Sequence, residues 1–218
     1  MIKLLIFDLD GTLIDTRQDI ASSVNYVLKN YDLPPKSLQE VTDAVGFGIE
    51  RLIARCILDS YPELEVKRIK ILKQFRTHYR EHCTDTSIHY PGVIDFLEKH
   101  KDKHLAILSN KPEAFCRVIL EKLKCIHYFP LVVGGDSFRN KKPLTEGMEH
   151  ILNETGAEVE EAVMIGDSAA DIETAQNMNM TSIGILDGMG LTEPLKDSKP
   201  SYLVNSFKDI ENLEILSL

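Results

Sequence analysis

The feature that most constrains this chain is a set of short apolar runs, rich in β-branched residues, that do not alternate with polar ones. They lie at residues 3–7, 105–108, 131–133, 162–165 and 181–186, with a sixth at 202–204. A strand that is apolar at successive positions is buried on both faces, as in a parallel sheet covered by helices. Helical spacing fills the gaps between the later runs. Phe115, Val118 and Ile119 mark one helix, and Met148, Ile151 and Leu152 another. Strands alternating with helices predict an α/β fold built on a doubly wound, parallel, Rossmann-like sheet. A chain of 218 residues holds such a core and a smaller inserted unit without needing disulfides.

One region breaks the rhythm. From about Thr16 to Cys83 no strand pattern occurs, but apolar residues recur at helical spacing. Ile20, Val24, Val27, Leu28 and Tyr31 form one set. Leu52, Ile53 and Ile57 form a second, and Val66, Ile69, Leu72, Phe75 and Tyr79 a third. Pro34-Pro35 and Tyr61-Pro62 separate them. The spacing predicts an all-helical domain over 16–83, inserted into an α/β core made of 1–15 and 84–218.

Charge and cysteine content narrow the class. The net charge of −9 repels polyanions, so nucleic acid and anionic membranes are not expected as partners. A small phosphorylated metabolite, held by local donors and a metal ion, remains compatible with it. Cys56, Cys83, Cys116 and Cys125 form no C-x-x-C pair and sit in apolar stretches, which reads as buried, reduced thiols in a reducing compartment. The apolar start of the chain is cut short by Asp8 and Asp10, so neither a signal peptide nor a membrane span is expected. The expectation is a cytoplasmic protein, and no pattern fixes its oligomeric state.

Four motifs follow predicted strands, whose carboxyl ends form the ligand crevice of an open parallel sheet. In Phe7-Asp8-Leu9-Asp10-Gly11-Thr12, Asp8 and Asp10 are two residues apart and share one side of an extended chain. Two carboxylates this close repel, and a hard cation such as Mg²⁺ offsets the repulsion. The competing reading is an Asp-rich turn. In Ile107-Leu108-Ser109-Asn110-Lys111, a hydroxyl and a backbone turn at a strand end can donate to phosphate oxygens, or form an ordinary loop. In Asn140-Lys141-Lys142-Pro143, a lysine before proline can bring its ammonium to a phosphoryl group, or stay solvated. In the fourth, Val163 to Asp171, a strand ends at Gly166-Asp167 and a helix begins near Ser168. Asp167 is a candidate metal ligand. Asp171 either caps the helix or supports that ligand from behind.

In this order the four motifs resemble those of the haloacid dehalogenase superfamily of phosphohydrolases, over nearly the whole chain. Segments at 8–16, 45–48, 90–93 and 132–143 are similar to the helical-cap branch that acts on 2-phosphoglycolate. The resemblance implies a Mg²⁺-dependent phosphatase working through an aspartyl phosphate. Asp8 would be the nucleophile and Asp10 the acid and base. Ser109 and Lys142 would hold the phosphoryl oxygens. Asp8, the Asp10 backbone carbonyl and Asp167 would bind the metal, and Thr12 and Asn110 stand beside them as candidate substrate contacts. Gly46-Phe47-Gly48 would be a loop closing over the substrate, with Gly48 and then Arg51 as candidate contacts. Arg51 is equally readable as a solvated helical residue. Pyrophosphate, a nucleoside monophosphate and a sugar phosphate are the alternative substrates.

Two positions depart from the family pattern. Thr145 stands where a second proline is common, and Met178-Asn179 where Ala-Gly is common. Asparagine tolerates a left-handed helix end, so the fold is expected to survive. His78 and His82, four apart, lack a third ligand or an H-E-x-x-H pattern. Among rival functions, a phosphoacceptor signalling module would not need Asp10, and a haloalkanoate dehalogenase would need neither Asp10 nor a metal. A sugar phosphomutase would share all four motifs, and a binding-only homologue would not be expected to keep them intact.

Overall fold

A computed structural model describes residues 1–216 of the chain. In chain order it runs β1 (Leu4–Phe7), β2 (Ile14–Asp15), α1 (Arg17–Lys29), α2 (Leu38–Thr42), α3 (Ile49–Ile53), α4 (Arg68–His82), β3 (Ile88–His89), α5 (Val93–Lys99), β4 (His104–Leu108) and α6 (Glu113–Lys122). It continues through β5 (Leu131–Val133), α7 (Glu146–Thr155), β6 (Ala162–Gly166), α8 (Ala169–Asn177), β7 (Thr181–Ile185), α9 (Thr192–Asp197) and β8 (Tyr202–Val204). All six apolar runs are strands of one sheet, in the order β5-β4-β1-β6-β7-β8, and every neighbouring pair is parallel.

The lack of alternation has the expected consequence. Leu4 and Ile6 pack on one face with Met148, Ile151 and Met164. Leu5 and Phe7 pack on the other with Phe96, Phe115, Ile119 and Phe207. Phe7 meets Phe96 and Phe129 edge-on, at 6.1 Å between centroids in each case. The second core does not stop at the sheet. It runs on through Phe75 and Tyr79 of α4 into Ile20, Val24 and Ile53, so the helical segment and that face of the sheet share one apolar interior.

The helices between β2 and β3 have local causes. Asp19 and Lys29 complement the dipole of α1 at its two ends. Ser37 and Glu40 form a capping box at the start of α2. After α3 the chain widens into one π-turn, Ala54–Leu58, which buries Cys56, Ile57 and Leu58 together. The third apolar stripe departs from expectation. Val66 and Ile69 are 89% and 85% exposed. Pro62–Lys67 is a 3₁₀ turn, and α4 starts only at Arg68. Val66 lies in that turn, Ile69 is two residues and about 200° round α4 from Ile71, on the outer face, and the buried stripe is Ile71, Phe75 and Tyr79.

A two-residue antiparallel pairing of β2 with β3 ties together the chain entering and leaving this segment. Runs that short carry no periodicity to read. Beside it the buried Asp19 carboxylate accepts hydrogen bonds from the backbone N–H and hydroxyl of both Thr86 and Ser87. All four cysteines are free and buried. Among the described residues no helix is long and apolar enough to cross a membrane.

Asn179 takes φ = 55° just beyond α8, the left-handed conformation that glycine usually supplies. Its side chain is exposed. Asn179→Val should therefore lower stability by about 1–2 kcal/mol through backbone strain alone, and Asn179→Gly should not lower it. Urea titration of the two variants beside the parent chain measures both.

Candidate active site

The sheet order makes β1 the switch point: the chain leaves it to one side through β4 and β5, then returns to the other through β6, β7 and β8. Phe7 is level with Ile107 on one side and Ile165 on the other. Residues just past these three strand ends therefore converge in one crevice. They are Asp8, Ser109 and Asp167.

Asp8, Asp167 and Asp171 each present an oxygen within 4.8 Å of the others, and all three are buried. One lysine mediates between them. Lys142 Nζ lies 2.5 Å from Asp171 Oδ1 and 3.0 Å from Asp8 Oδ1. Burial alone would lower the Lys142 pKa, but Asp171 and then Asp8 outweigh it, and the ammonium stays charged. The other Asp171 oxygen accepts from the Ser168 backbone N–H at 3.0 Å and from its hydroxyl at 2.6 Å. Asp171 thus caps α8, one of the two roles the sequence allowed, and its other oxygen fixes Lys142 rather than supporting Asp167. With both oxygens taken, it is poorly placed to bind a metal ion.

Asp167 is held differently. Its Oδ1 accepts from the Thr12 hydroxyl at 3.0 Å, and its Oδ2 from the backbone N–H groups of Met189 and Gly190 at 2.7 and 2.8 Å. Burial first, then the charges of Asp8 and Asp171, push its pKa up to about 7 against the pull of those N–H donors. Gly11 turns at φ = 84° and its missing side chain makes the room: a Cβ there would lie 2.1 Å from Asp167 Oδ2. The Gly188-Met189-Gly190 loop after β7 plays no part in the sequence reading. Two glycines directly beyond a buried strand end were the available signal.

Asp10 points elsewhere. Its carboxylate receives Lys111 Nζ at 2.6 and 2.9 Å and the Thr16 hydroxyl at 2.7 Å. Lys111 also sits 4.8 Å from the centre of the Tyr79 ring. These groups border a cavity of about 60 Å³ between the strand ends and the helical segment. Ile20, Ile49, Leu52, Phe75 and Phe115 give it an apolar roof, and Asp8, Asp10, Ser109 and Asp167 a polar floor.

The structure thus brings together Asp8, Asp10, Ser109, Lys142, Asp167 and Asp171. Gly48 lines the cavity as well, at the start of α3. Three candidate substrate contacts are engaged otherwise. The Thr12 hydroxyl is spent on Asp167. The Asn110 amide donates to the Gly46 and Lys142 carbonyls, tethering the Gly46 loop over the site. Arg51 is exposed, with its guanidinium 5.0 Å from the Phe47 ring centre, because Ile49, Leu52 and Ile53 take the inner face of α3. His78 pairs with Ser23, and His82 with Asp85. Lys111 and Tyr79 carry no role in the sequence reading, although Lys111 stands two residues after Ser109.

The donor set fits a hard divalent cation. Asp8 Oδ1 is buried and lacks a well-aligned hydrogen-bond donor. It faces a second carboxylate, Asp167, whose raised pKa reports an uncompensated negative site. Carboxylate and carbonyl oxygens are the ligands Mg²⁺ prefers. Asp8 and Asp167 would hold it with the Asp10 backbone carbonyl, since the Asp10 side chain is occupied by Lys111.

For the metal-free protein the Asp167 shift has a definite sign. A carboxyl whose folded pKa, about 7, exceeds its reference value of 3.8 binds more protons folded than unfolded between those values. Its contribution to stability is full below the lower value and is lost as pH rises through the upper one. In chelator, thermal stability of the parent chain should fall from pH 4 to 7 relative to Asp167→Asn. Parallel curves for the two proteins would remove Asp167 as the cause.

A profile described as "Haloacid dehalogenase-like hydrolase" matches residues 5–185. Relatives named phosphoglycolate phosphatase include one from Aliivibrio fischeri, 33% identical over 100% of this chain and 97% of its own length. Another, from Aquifex aeolicus, is 35% identical over 93% of this chain and 95% of its own. A crystal structure described as a predicted phosphoglycolate phosphatase from Haemophilus somnus superposes with a TM-score of 0.91 at 30% identity, covering 97% of each chain. With a profile match that spans all four strand-end motifs, the chain belongs to the haloacid dehalogenase-like hydrolase family.

Proposed function

We propose that this chain is a Mg²⁺-dependent phosphatase that hydrolyses a small phosphomonoester, 2-phosphoglycolate first among candidates, through an aspartyl phosphate at Asp8. The observation that carries the reading is the placement of Asp8. It is a buried carboxylate between a fixed lysine and a second carboxylate, at the switch point of a parallel sheet. An anionic nucleophile can approach an anionic phosphate only where cations lower the repulsion.

In the first half-reaction an Asp8 oxygen attacks phosphorus, and the bond from phosphorus to the substrate oxygen breaks. Asp10, entering this step protonated, delivers its proton to that leaving oxygen. In the second, water attacks the aspartyl phosphate, Asp10 takes the water's proton, and the bond to Asp8 breaks to release phosphate. Lys142 and the Ser109 hydroxyl hold the phosphoryl oxygens throughout. Bound Mg²⁺ would supply charge neutralisation between nucleophile and phosphate. The cavity supports a small substrate. Its volume of about 60 Å³ and its apolar roof suit a compact ester. The names of the full-length relatives point the same way.

Residues 16–83 are read as a cap over a core of 1–15 and 84–218, which opens to admit substrate and closes to limit water. The β2–β3 pair across both connecting segments supports this division. Solution scattering with and without a phosphate analogue and Mg²⁺ should show a more compact particle in their presence; identical curves would count against a moving cap.

Phosphate release from a panel of phosphorylated metabolites tests the chemistry. Release should require Mg²⁺, stop in chelator and favour 2-phosphoglycolate. Asp8→Asn should reduce turnover by at least about a thousandfold while the fold is kept, since it removes the nucleophile. Near-parental activity in that variant would overturn the mechanism. Preference for another compound would keep the mechanism and change the substrate.

A further inference from the structure

Resting on the phosphatase reading of the site, we propose that Lys111 and Tyr79 form a subsite for a second anionic group of the substrate, a carboxylate carried by the leaving alcohol.

Lys111 is the one cation among the described residues that line the cavity. It does not sit at the phosphoryl end, where Lys142 already serves Asp8. It sits on Asp10, the group assigned to the leaving oxygen, at 2.6 Å. Whatever is attached to that oxygen must therefore lie against Lys111. The ammonium has three protons, and Asp10 can engage at most two with its two oxygens at 2.6 and 2.9 Å. A further acceptor can be received without breaking the Asp10 pair.

Tyr79 supplies an independent observation. It is buried and lines the same cavity, and its hydroxyl, close to the Lys111 ammonium, donates to no acceptor. A buried hydroxyl proton without an acceptor is unusual and costs free energy unless a ligand or water completes it. Its ring lies under the Lys111 ammonium at 4.8 Å. Two donors therefore converge on one wall of the cavity, one charged and one neutral. Both belong to the leaving-group end.

The rest of that wall makes the subsite selective. Ile20, Ile49, Leu52, Phe75 and Phe115 offer no polar atom from their side chains. Against such surroundings an ionic contact is screened far less than in water. A substrate with a neutral tail would leave the Tyr79 hydroxyl unpaired. A carboxylate two bonds from the leaving oxygen, as in an α-hydroxy acid phosphate, would satisfy Tyr79 and the third Lys111 proton together. Arg51, the cation that the sequence offered for this task, faces solvent.

The test compares two substrates of nearly equal size, 2-phosphoglycolate and ethyl phosphate, in the Mg²⁺-loaded parent, Lys111→Met and Tyr79→Phe. The parent should prefer 2-phosphoglycolate in kcat/KM. Lys111→Met should shrink that preference by roughly ten- to a hundredfold, the worth of a charge-assisted hydrogen bond, with the larger change in KM. Tyr79→Phe, which keeps the ring and the packing, should shrink it by roughly three- to tenfold. A preference unchanged within twofold in both variants, even if both activities fall, would overturn the subsite. So would a Tyr79→Phe preference equal to the parent's if Lys111→Met fails to fold. A parent that hydrolyses both compounds equally keeps the phosphatase reading and removes the subsite, whereas release from neither removes both.

Discussion

Three buried carboxylates within 4.8 Å of one another are the constraint on which the rest of this site depends. In a low-dielectric interior such an arrangement is unstable unless each charge is balanced or protonated. The surrounding structure balances them in different ways. Asp171 is given Lys142 and the start of α8, so its charge is spent locally and its role is to hold the lysine. Asp167 is given only neutral donors, Thr12 and the Met189 and Gly190 N–H groups, and its pKa stays raised. Asp8 shares Lys142 and keeps one oxygen without a well-aligned donor. The unbalanced charge is thus concentrated on Asp8 and Asp167, the two positions where a metal ion and a phosphoryl group would meet.

The fold explains why this imbalance can persist. The sheet packs on both faces through residues that are almost wholly buried, and its strands bring distant motifs together at their carboxyl ends. The strain of holding like charges together is carried by that interior and by small residues that let the backbone approach. Gly190 is one: a Cβ there would lie 2.0 Å from the Asp167 carbonyl oxygen. Binding a divalent cation would relieve a cost already present in the folded chain, which gives the proposed metal site a physical basis in a protein of net charge −9.

Much of this was legible in the sequence because burial on both faces of a strand leaves a one-dimensional mark. Every one of the six runs is a strand, and Asn179 takes the left-handed conformation that its type allows. Asp8 and Asp167 were legible for a related reason: an acid directly after a buried strand has few structural explanations. What sequence could not resolve was where side chains turn after the strand ends. Thr12 and Asn110 sit in the right motifs, yet one supports Asp167 and the other tethers the Gly46 loop. Tyr79 reads as one more apolar residue on a helix, and only its partner across the fold gives it another meaning. Val66 and Ile69 follow a run of three-residue steps, which drifts round a helix and leaves them off the face that Ile71, Phe75 and Tyr79 bury.

The apolar roof brings the helical segment into the chemistry. Tyr79 meets Phe115 edge-on at 5.3 Å, so a residue of α4 and a residue of α6 pack as one core directly above Asp10 and Lys111. Such a roof strengthens the ionic contacts beneath it and limits the access of solvent. A phosphatase cannot exclude water altogether, because water is its second substrate. The cavity size reconciles the two demands. While a small ester occupies it there is little room for water. Once the alcohol leaves, the vacated volume, beside Asp10 and facing Asp8, is about the size of a few water molecules. On the proposed mechanism, Asp10 would serve the leaving oxygen and then border the space that water must enter.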